Sequence, residues 1–117
     1  MGSNFEELNV WKEACSLAVA VYKTVQDCKD FALKDQIQRA AVSIPSNIAE
    51  GAERKSGKEF IHFLFIAKGS AAELRTQLYI AVSIGMISQE AAEKLIEITK
   101  KISSMLQKLI SFQKTKL

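Results

Sequence analysis

Residues 39–60 read RAAVSIPSNIAEGAERKSGKEF, and this stretch decides the fold. An apolar stripe at helical spacing runs through it and just before it, comprising Ile37, Ala41, Ile44 and Ile48. A polar stripe at the same intervals lies roughly on the opposite side, comprising Arg39, Ser43, Ser46 and Glu50. We therefore predict a helix that buries the apolar stripe in its own bundle. The polar stripe then faces a neighbouring subunit, a ligand or water.

The predicted bounds of this second helix are about Phe31 and Ala52. Pro45 lies inside it and removes an amide donor, so we predict a kink there. Gly51 is a residue type that commonly ends helices, and we predict the end of the helix at that position.

The third helix has the clearest start. Ser56 and Glu59 match the S-x-x-E capping box, in which each side chain satisfies a backbone amide of the other residue. The helix then continues to Gly85, which we expect to terminate it. Its predicted seam is Phe60, Leu64, Ala67, Ala71, Leu74, Leu78 and Ala81.

The first and fourth helices follow from the same spacing. We predict the first from about Asn9 to Asp27, and the fourth after an N-terminal cap at Ser88. The predicted seam of the first is Trp11, Cys15, Ala18, Tyr22 and Val25. The predicted seam of the fourth is Leu95, Ile98, Ile102, Met105, Leu109 and Phe112.

Four long helices joined by short turns predict an all-α, antiparallel up-down four-helix bundle. The chain has 117 residues, one proline and five glycines, too few turn residues for a many-stranded β protein. We expect a single domain over residues 1–117, with a core from about 8 to 112 and frayed termini. No apolar run approaches the ~20 residues that cross a bilayer, so we expect a soluble, cytoplasmic protein without a membrane partner.

The start of the third helix is apolar on every side, and one bundle core covers only one stripe of a helix. A second apolar line lies on the first helix, at Val10, Leu17 and Val21. Surplus apolar faces favour a homo-oligomer, whose candidate interface residues are Phe60, Ile61, Phe63, Phe65 and Ile66. The alternative is a monomer in which the third helix is the most enclosed.

A basic cluster lies between the second and third helices. The candidate nucleic-acid-binding residues there are Arg54, Lys55, Lys58 and His62. Lysines also repeat along the fourth helix at Lys94, Lys101 and Lys108. We interpret that face as solvated and paired within the helix, because Glu90 and Glu97 precede two of these lysines by four residues.

Polar residues recur at matching intervals on the second and third helices. They are Arg39, Ser46, Asn47, Glu50, Ser70, Glu73 and Gln77. We interpret them as a polar network that fixes bundle register or subunit contacts, and a ligand site is the alternative.

The sequence offers no catalytic constellation. Glu59 and His62 match one Glu-x-x-His motif, but a di-iron bundle needs two such motifs and His62 is the sole histidine. Nucleophilic triads and phosphate-binding glycine loops are also missing from the sequence. We expect no enzymatic activity, no cofactor and no metal, and we interpret Cys15 and Cys28 as small buried hydrophobes.

Several blocks carry a family resemblance. In chain order they are LNVWKEA at 8–14, IPSNIAEG at 44–51, Arg54, Ser56, KEF at 58–60 and GSAAELRTQL at 69–78. On these blocks the chain resembles the four helix bundle protein family, also called 23S ribosomal RNA intervening-sequence proteins. The resemblance implies a small bacterial protein that forms a homopentamer of antiparallel bundles. It also implies kinship with accessory proteins of diversity-generating retroelements, which bind nucleic acid and a reverse transcriptase.

The net charge of +3 is modest for a nucleic-acid binder, but repetition of the basic cluster in an oligomer would concentrate it. We therefore expect a non-catalytic accessory or scaffold protein that engages RNA, DNA or a nucleic-acid enzyme. The alternative is a protein-protein adaptor that binds a partner helix without contacting nucleic acid.

Overall fold

A computed structural model describes residues 4–117. A short 3-10 turn at Phe5–Glu7 precedes four helices, and the described part of the chain contains no strand. The helices are α1 (Asn9–Val25), α2 (Phe31–Ala52), α3 (Gly57–Ser83) and α4 (Gln89–Lys114). Each helix packs against the next, and α1 also contacts α4, so the helices close into a bundle of 46 × 20 × 19 Å. The predicted all-α four-helix bundle is confirmed.

Side-chain caps begin the last three helices. The Asp30 carboxylate accepts a hydrogen bond from the Leu33 amide at the start of α2. The Ser56 hydroxyl accepts bonds from two amides of the first turn of α3, and Ser88 does the same for one amide of α4. The predicted caps at Ser56 and Ser88 are therefore confirmed, because each satisfies amides that have no partner within the helix. The other half of the predicted capping box, a bond from the Ser56 amide to the Glu59 carboxylate, does not form in the described part of the chain.

Gly85 ends α3 as predicted. Its φ is +75°, in the left-handed region that favours glycine. The Met86 amide donates to the Ala81 carbonyl at 2.8 Å, and the Gly85 amide donates to the Val82 carbonyl at 3.0 Å. These two bonds form a Schellman motif, which satisfies carbonyls of the last turn and returns the chain toward α4.

The structure does not confirm the predictions for Pro45 and Gly51. α2 continues without a break from Phe31 to Ala52, and the kink predicted at Pro45 is not confirmed. The predicted role of Gly51 as terminator is wrong, because Gly51 is buried inside the helix. A Cβ atom at Gly51 would lie 2.6 Å from the Cβ of Phe63. Glycine is required here because α3 approaches the α2 backbone closely.

The apolar stripe of α2 is entirely buried, as predicted. The predicted seam of α3 is buried as well, except that Phe60 is half-buried against the core. These two helices meet along the middle of the bundle. The apolar stripes of α2 and α3 face each other there and form the core between these two helices.

The predicted core face of α1 is wrong. The residues that α1 buries are Val10, Ala14, Leu17, Val21 and Val25. Of the predicted seam only Val25 is buried, and Tyr22 is exposed. The line assigned to a subunit interface is therefore the core line. The two lines are offset by one residue, about 100° around the helix, and both follow helical spacing.

The core face of α4 is rotated relative to the prediction. The residues that α4 buries are Ala92, Leu95, Ile96, Thr99, Ile102, Leu106 and Ile110. Leu95 and Ile102 belong to both sets, whereas Phe112 is exposed. Thr99 interrupts the apolar pattern at the centre of the buried face, and its hydroxyl donates to the Ile96 carbonyl at 2.6 Å. This internal bond lets a polar residue occupy the core.

Across residues 4–117, no helix combines the length and apolar character needed to cross a membrane.

Candidate nucleic-acid and subunit interfaces

The predicted basic cluster lies at one end of the bundle, on the turn between α2 and α3. Arg54, Lys55, Lys58 and His62 are all exposed. Arg54 pairs with Glu50 one helical turn earlier, at 2.7 Å, and its guanidinium lies 4.9 Å from the centre of the Phe63 ring. Lys55 and Lys58 form no ion pair with any of the described residues. Their ammonium groups are therefore the ones most available to an external anion.

The fold adds two lysines of α4 to the same end. In the antiparallel arrangement, the end of α4 lies beside the start of α3. A methyl carbon of Leu117 lies 3.1 Å from where a Cβ on Gly57 would stand. Lys114 and Lys116 thus extend the basic cluster, although the sequence groups them with the lysines of α4. The predicted up-down topology could have placed them here, because it brings the end of the fourth helix beside the start of the third.

The lysines along the middle of α4 are exposed, but neither predicted pair, Glu90 with Lys94 or Glu97 with Lys101, forms. Lys101 instead pairs with Glu13 of α1 at 3.5 Å. Glu97 pairs with Lys100 at 3.5 Å. All of these side chains are largely exposed, so the pairs contribute little to stability.

Part of the predicted polar network is present between α2 and α3. The hydroxyls of Ser43 and Ser70 are 2.8 Å apart and share a hydrogen bond. The Asn47 amide donates to both the carbonyl and the hydroxyl of Ser43, at 2.8 and 2.9 Å. This small cluster links the two helices at the middle of their contact. It fixes their register because each group satisfies another in a partly buried position.

The remaining predicted members of the network lie elsewhere. Arg39 pairs with Asp35 of α2 at 2.8 Å, and Glu50 pairs with Arg54 of the α2–α3 turn, so both ends of the polar stripe pair with residues close in sequence. Ser46 is exposed. None of these three residues forms a hydrogen bond or ion pair with α3 in the described part of the chain.

Among the described residues, Gln77 has a buried side-chain oxygen whose hydrogen bonding is incomplete. It is 6% exposed, and its amide nitrogen donates weakly to Glu73 at 3.4 Å. Its Oε1 atom is buried without a hydrogen-bond partner among the described residues. Beside Glu73 lies a polar groove of about 280 Å³ between α2 and α3, also lined by Gln36 and Arg39. A donor from outside the chain would relieve the cost of that oxygen.

The predicted interface residues at the start of α3 differ in their exposure to solvent. Ile61 is buried in the bundle's own core, so it is not available to a partner. Phe60 and Phe63 are half-buried against the chain itself. Phe65 and Ile66 remain 44% and 38% exposed.

Beyond Phe65 and Ile66, α3 presents an exposed face that we call the outer face of α3. It comprises the exposed residues Phe65, Ile66, Gly69, Ala72, Glu73, Thr76, Tyr79 and Ile80. Most of them are apolar or small, Glu73 is charged, and all share one side of the helix over about four turns. Tyr79 and Ile80 were not predicted, because they lie outside the continuous apolar run. A face of this kind is typical of protein-protein contact.

A cleft of about 500 Å³ separates α3 and α4 at the opposite end of the bundle. Its walls include Tyr79, Ile96 and Ala92, and Glu93 and Lys100 line its edge. The described residues contain no group of three or more histidine, cysteine or carboxylate side chains that could hold a metal ion. The walls of this cleft are mainly apolar, and its edges are charged.

Both cysteines are free and half-buried. Burial raises the pKa of the Cys15 thiol, which keeps it protonated and poorly nucleophilic at neutral pH. The Cys28 thiol lies 3.5 Å from the Met86 carbonyl and donates to it across the two turns at that end of the bundle. Their roles are those of small packing residues, although neither is fully buried.

A sequence model of the family described as 23S rRNA-intervening sequence protein matches residues 6–108. The chain belongs to this family. The match covers all of α1, α2 and α3, and most of α4. No curated protein matches the chain.

A solved structure supports the same assignment. The chain is similar to a crystal structure of a protein of unknown function from the S23 ribosomal protein family of Bacteroides thetaiotaomicron VPI-5482. The two chains are 30% identical and align with a TM-score of 0.81, over 86% of this chain and 97% of that chain. The fold is thus shared along nearly the whole of that protein.

The matched region includes the basic cluster of the α2–α3 turn but ends at residue 108. Phe112, Lys114 and Lys116 lie beyond it. The family match therefore says nothing about the end of α4, whose contacts are those of this chain alone.

Proposed function

We propose that the protein is a non-catalytic homo-oligomer that binds nucleic acid through the basic residues of the α2–α3 turn. Its work is that of an accessory or scaffold protein, and its assembly is the pentamer that the family resemblance implies. The observation that carries the proposal is the exposed, unpaired state of Lys55 and Lys58 beside Arg54. Phosphate groups are the anions that such a cluster suits.

Charge supports a role for assembly in this binding. A net charge of +3 per chain gives a weak field, and acidic residues at Glu50, Glu53 and Glu59 lie close to the basic cluster. A symmetric ring repeats the cluster once per subunit around one rim. Several clusters then contact one nucleic acid together, and the linked contacts add in free energy.

The outer face of α3 supports self-association. Ile66 and Ile80 leave apolar surface in water, and covering it with another copy removes that cost. Gly69 and Ala72 between them let a second helix approach closely.

The proposal is tested by measuring the binding of a labelled RNA duplex by fluorescence anisotropy between about 50 and 200 mM salt. We expect the triple variant R54A, K55A, K58A to bind more weakly and to lower the slope of log affinity against log salt by up to about 3. The matched control is K94A, K101A, K108A, which removes the same charge from the exposed face of α4. We expect the control to keep most of the affinity.

Two results would contradict this assignment. Equal losses in both triple variants would mean that binding follows net charge and not the α2–α3 turn. Failure of the unaltered protein to bind any nucleic acid at about 50 mM salt would leave the protein-protein adaptor as the better account.

A further inference from the structure

Three cation–aromatic contacts gather at one end of the bundle. They join Arg54 to Phe63 at 4.9 Å, Lys114 to Phe65 at 5.5 Å and Lys116 to Phe112 at 4.7 Å, each measured to the ring centre. A fourth contact, between Lys34 and Phe31 at 5.7 Å, lies at the opposite end of the bundle. The three contacts at one end place basic and aromatic side chains side by side on one surface.

The fold creates this surface from positions far apart in the sequence. The end of α2, the start of α3 and the end of α4 meet there, as the contact between Leu117 and Gly57 shows. Phe112 and Lys116 are four positions apart, but Phe65 and Lys114 are almost 50 positions apart along the chain, so only the fold brings the two pairs to one surface.

The rings are accessible to a ligand. Phe65 is 44% exposed and Phe112 is 55% exposed. Both lysines are exposed, and neither forms an ion pair with a carboxylate in the described range 4–117. Each ring thus has one ammonium group over it and no competing acidic side chain fixed to that ammonium.

We infer that this cation–aromatic patch, consisting of Phe65, Phe112, Lys114 and Lys116, binds single-stranded nucleic acid in preference to duplex. The inference rests on the proposed nucleic-acid binding and adds the class of ligand. Single-strand binding proteins combine the same two elements, a basic surface that follows the phosphates and aromatic rings on which bases stack.

The preference for single strands arises because an unpaired base can replace a lysine on a ring, whereas a paired base cannot. An unpaired base stacks on Phe112 or Phe65 and takes the place of the lysine over the ring, while the displaced ammonium moves to the adjacent phosphate. Each lysine gains a full negative charge in exchange for a ring face. In a duplex the base faces are already stacked on one another, so only the phosphate contacts remain.

Phe65 also belongs to the outer face of α3, which we propose as a subunit interface. The contact with Lys114 places its ring toward α4, at the very end of that face. Phe112 lies on α4 and is outside the outer face of α3. Phe112 therefore tests stacking independently of assembly.

The test compares a labelled oligouridylate, the oligothymidylate of the same length and a duplex of the same length by fluorescence anisotropy. We expect tighter binding of the single strands than of the duplex. Phe112→Leu keeps an apolar side chain but removes the stacking face, and it should weaken single-strand binding about tenfold while duplex binding is unchanged. Phe65→Leu should add a similar loss. Phe112→Trp should restore or strengthen binding, since an indole also stacks.

The controls separate stacking from charge and from assembly. K114Q with K116Q should weaken single strands and duplex alike, because both lose phosphate contacts. Light scattering of each variant checks that the assembly is unaltered, and Phe112→Leu alone decides the matter if Phe65→Leu changes it. Equal binding of RNA and DNA strands is expected from stacking, and a preference for uridylate would add a contact to the 2′-hydroxyl.

The inference is overturned if duplex binds as tightly as the single strands, or if Phe112→Leu leaves single-strand binding intact. In either case duplex binding would leave the proposed function standing. Loss of binding to every probe at low salt would instead overturn both.

Discussion

Single side chains decide how closely α2 and α3 approach. Gly51 is the clearest case, since the atoms that need its missing side chain belong to Phe60 and Phe63 of another helix. A lone sequence shows a glycine near the end of a helix, where glycines are common, and so it predicts a terminator. The true requirement is a contact between helices. Local pattern could not have revealed it, because the neighbour comes from a different helix.

Gly51→Ala should therefore destabilise the protein. A Cβ atom at Gly51 would lie 2.6 Å from the Phe63 Cβ, which is attached directly to the backbone and cannot swing away. We expect the free energy of unfolding to fall by roughly 1–3 kcal/mol, although alanine is favoured in a helix by about 1 kcal/mol. Gly69→Ala is the matched control, since nothing of its own chain lies within 4 Å. Measured in the double variant I66E, I80E, so that no subunit packed on the outer face of α3 contributes, it should gain about 0.5–1 kcal/mol in urea unfolding. A loss at Gly69 as large as that at Gly51 would contradict this account.

Among the helices, existence and boundaries followed from sequence much better than orientation. α3 was predicted almost completely, because Ser56, Gly85 and a regular seam are all local signals. The faces of α1 and α4 were not. On α1, the stripes through Val10 and through Trp11 have the same spacing, and only packing against α2 and α4 selects between them. On α4, the polar residue Thr99 lies at the centre of the buried face, so the apolar pattern did not predict that face. Thr99 can be buried because its hydroxyl bonds within its own helix.

The candidate site divides in the same way. The residues of the α2–α3 turn are contiguous, so their clustering could be predicted from sequence. The pairing of Lys114 with Phe65 and the partial network at Ser43 and Ser70 join separate helices. Predicting them requires the register of two antiparallel helices to within one residue, which a hydrophobic pattern does not supply.

The end of α3 offers a prediction about helix termination. At φ +75° a side chain is strained, yet a Cβ on Gly85 would meet nothing within 4 Å. The cost of Gly85→Ala should thus be purely conformational, a loss of about 1–2 kcal/mol in unfolding free energy. Gly85→Asn should lose less, because asparagine tolerates the left-handed region. Both are measured by thermal or urea unfolding. Equal losses for alanine and asparagine would indicate that sterics, not backbone conformation, set the requirement.

The bundle as a whole leaves two surfaces unused by its own packing, and they suit different partners. The outer face of α3 is largely apolar, with Glu73 as its acidic residue, as expected for contact with another copy. The end formed by α2, α3 and α4 is basic and aromatic, as expected for contact with nucleic acid. Because these surfaces adjoin only at Phe65, assembly and nucleic-acid binding can proceed together and can be disrupted separately.

Self-association is tested by placing charge on the outer face of α3. Ile66 and Ile80 are 38% and 46% exposed in the single chain, so the double variant I66E, I80E should fold normally. Burying two unpaired carboxylates between subunits costs several kcal/mol per charge, so the variant should fall to a particle of 13.0 kDa. The control S104E, S111E adds the same charges to exposed positions of α4 and should stay assembled. Sedimentation gives the mass, and circular dichroism gives the helix content. An unaltered protein that sediments as a folded 13.0 kDa particle would contradict self-association outright. A double variant that keeps the mass of the unaltered assembly would instead show that the subunits meet elsewhere.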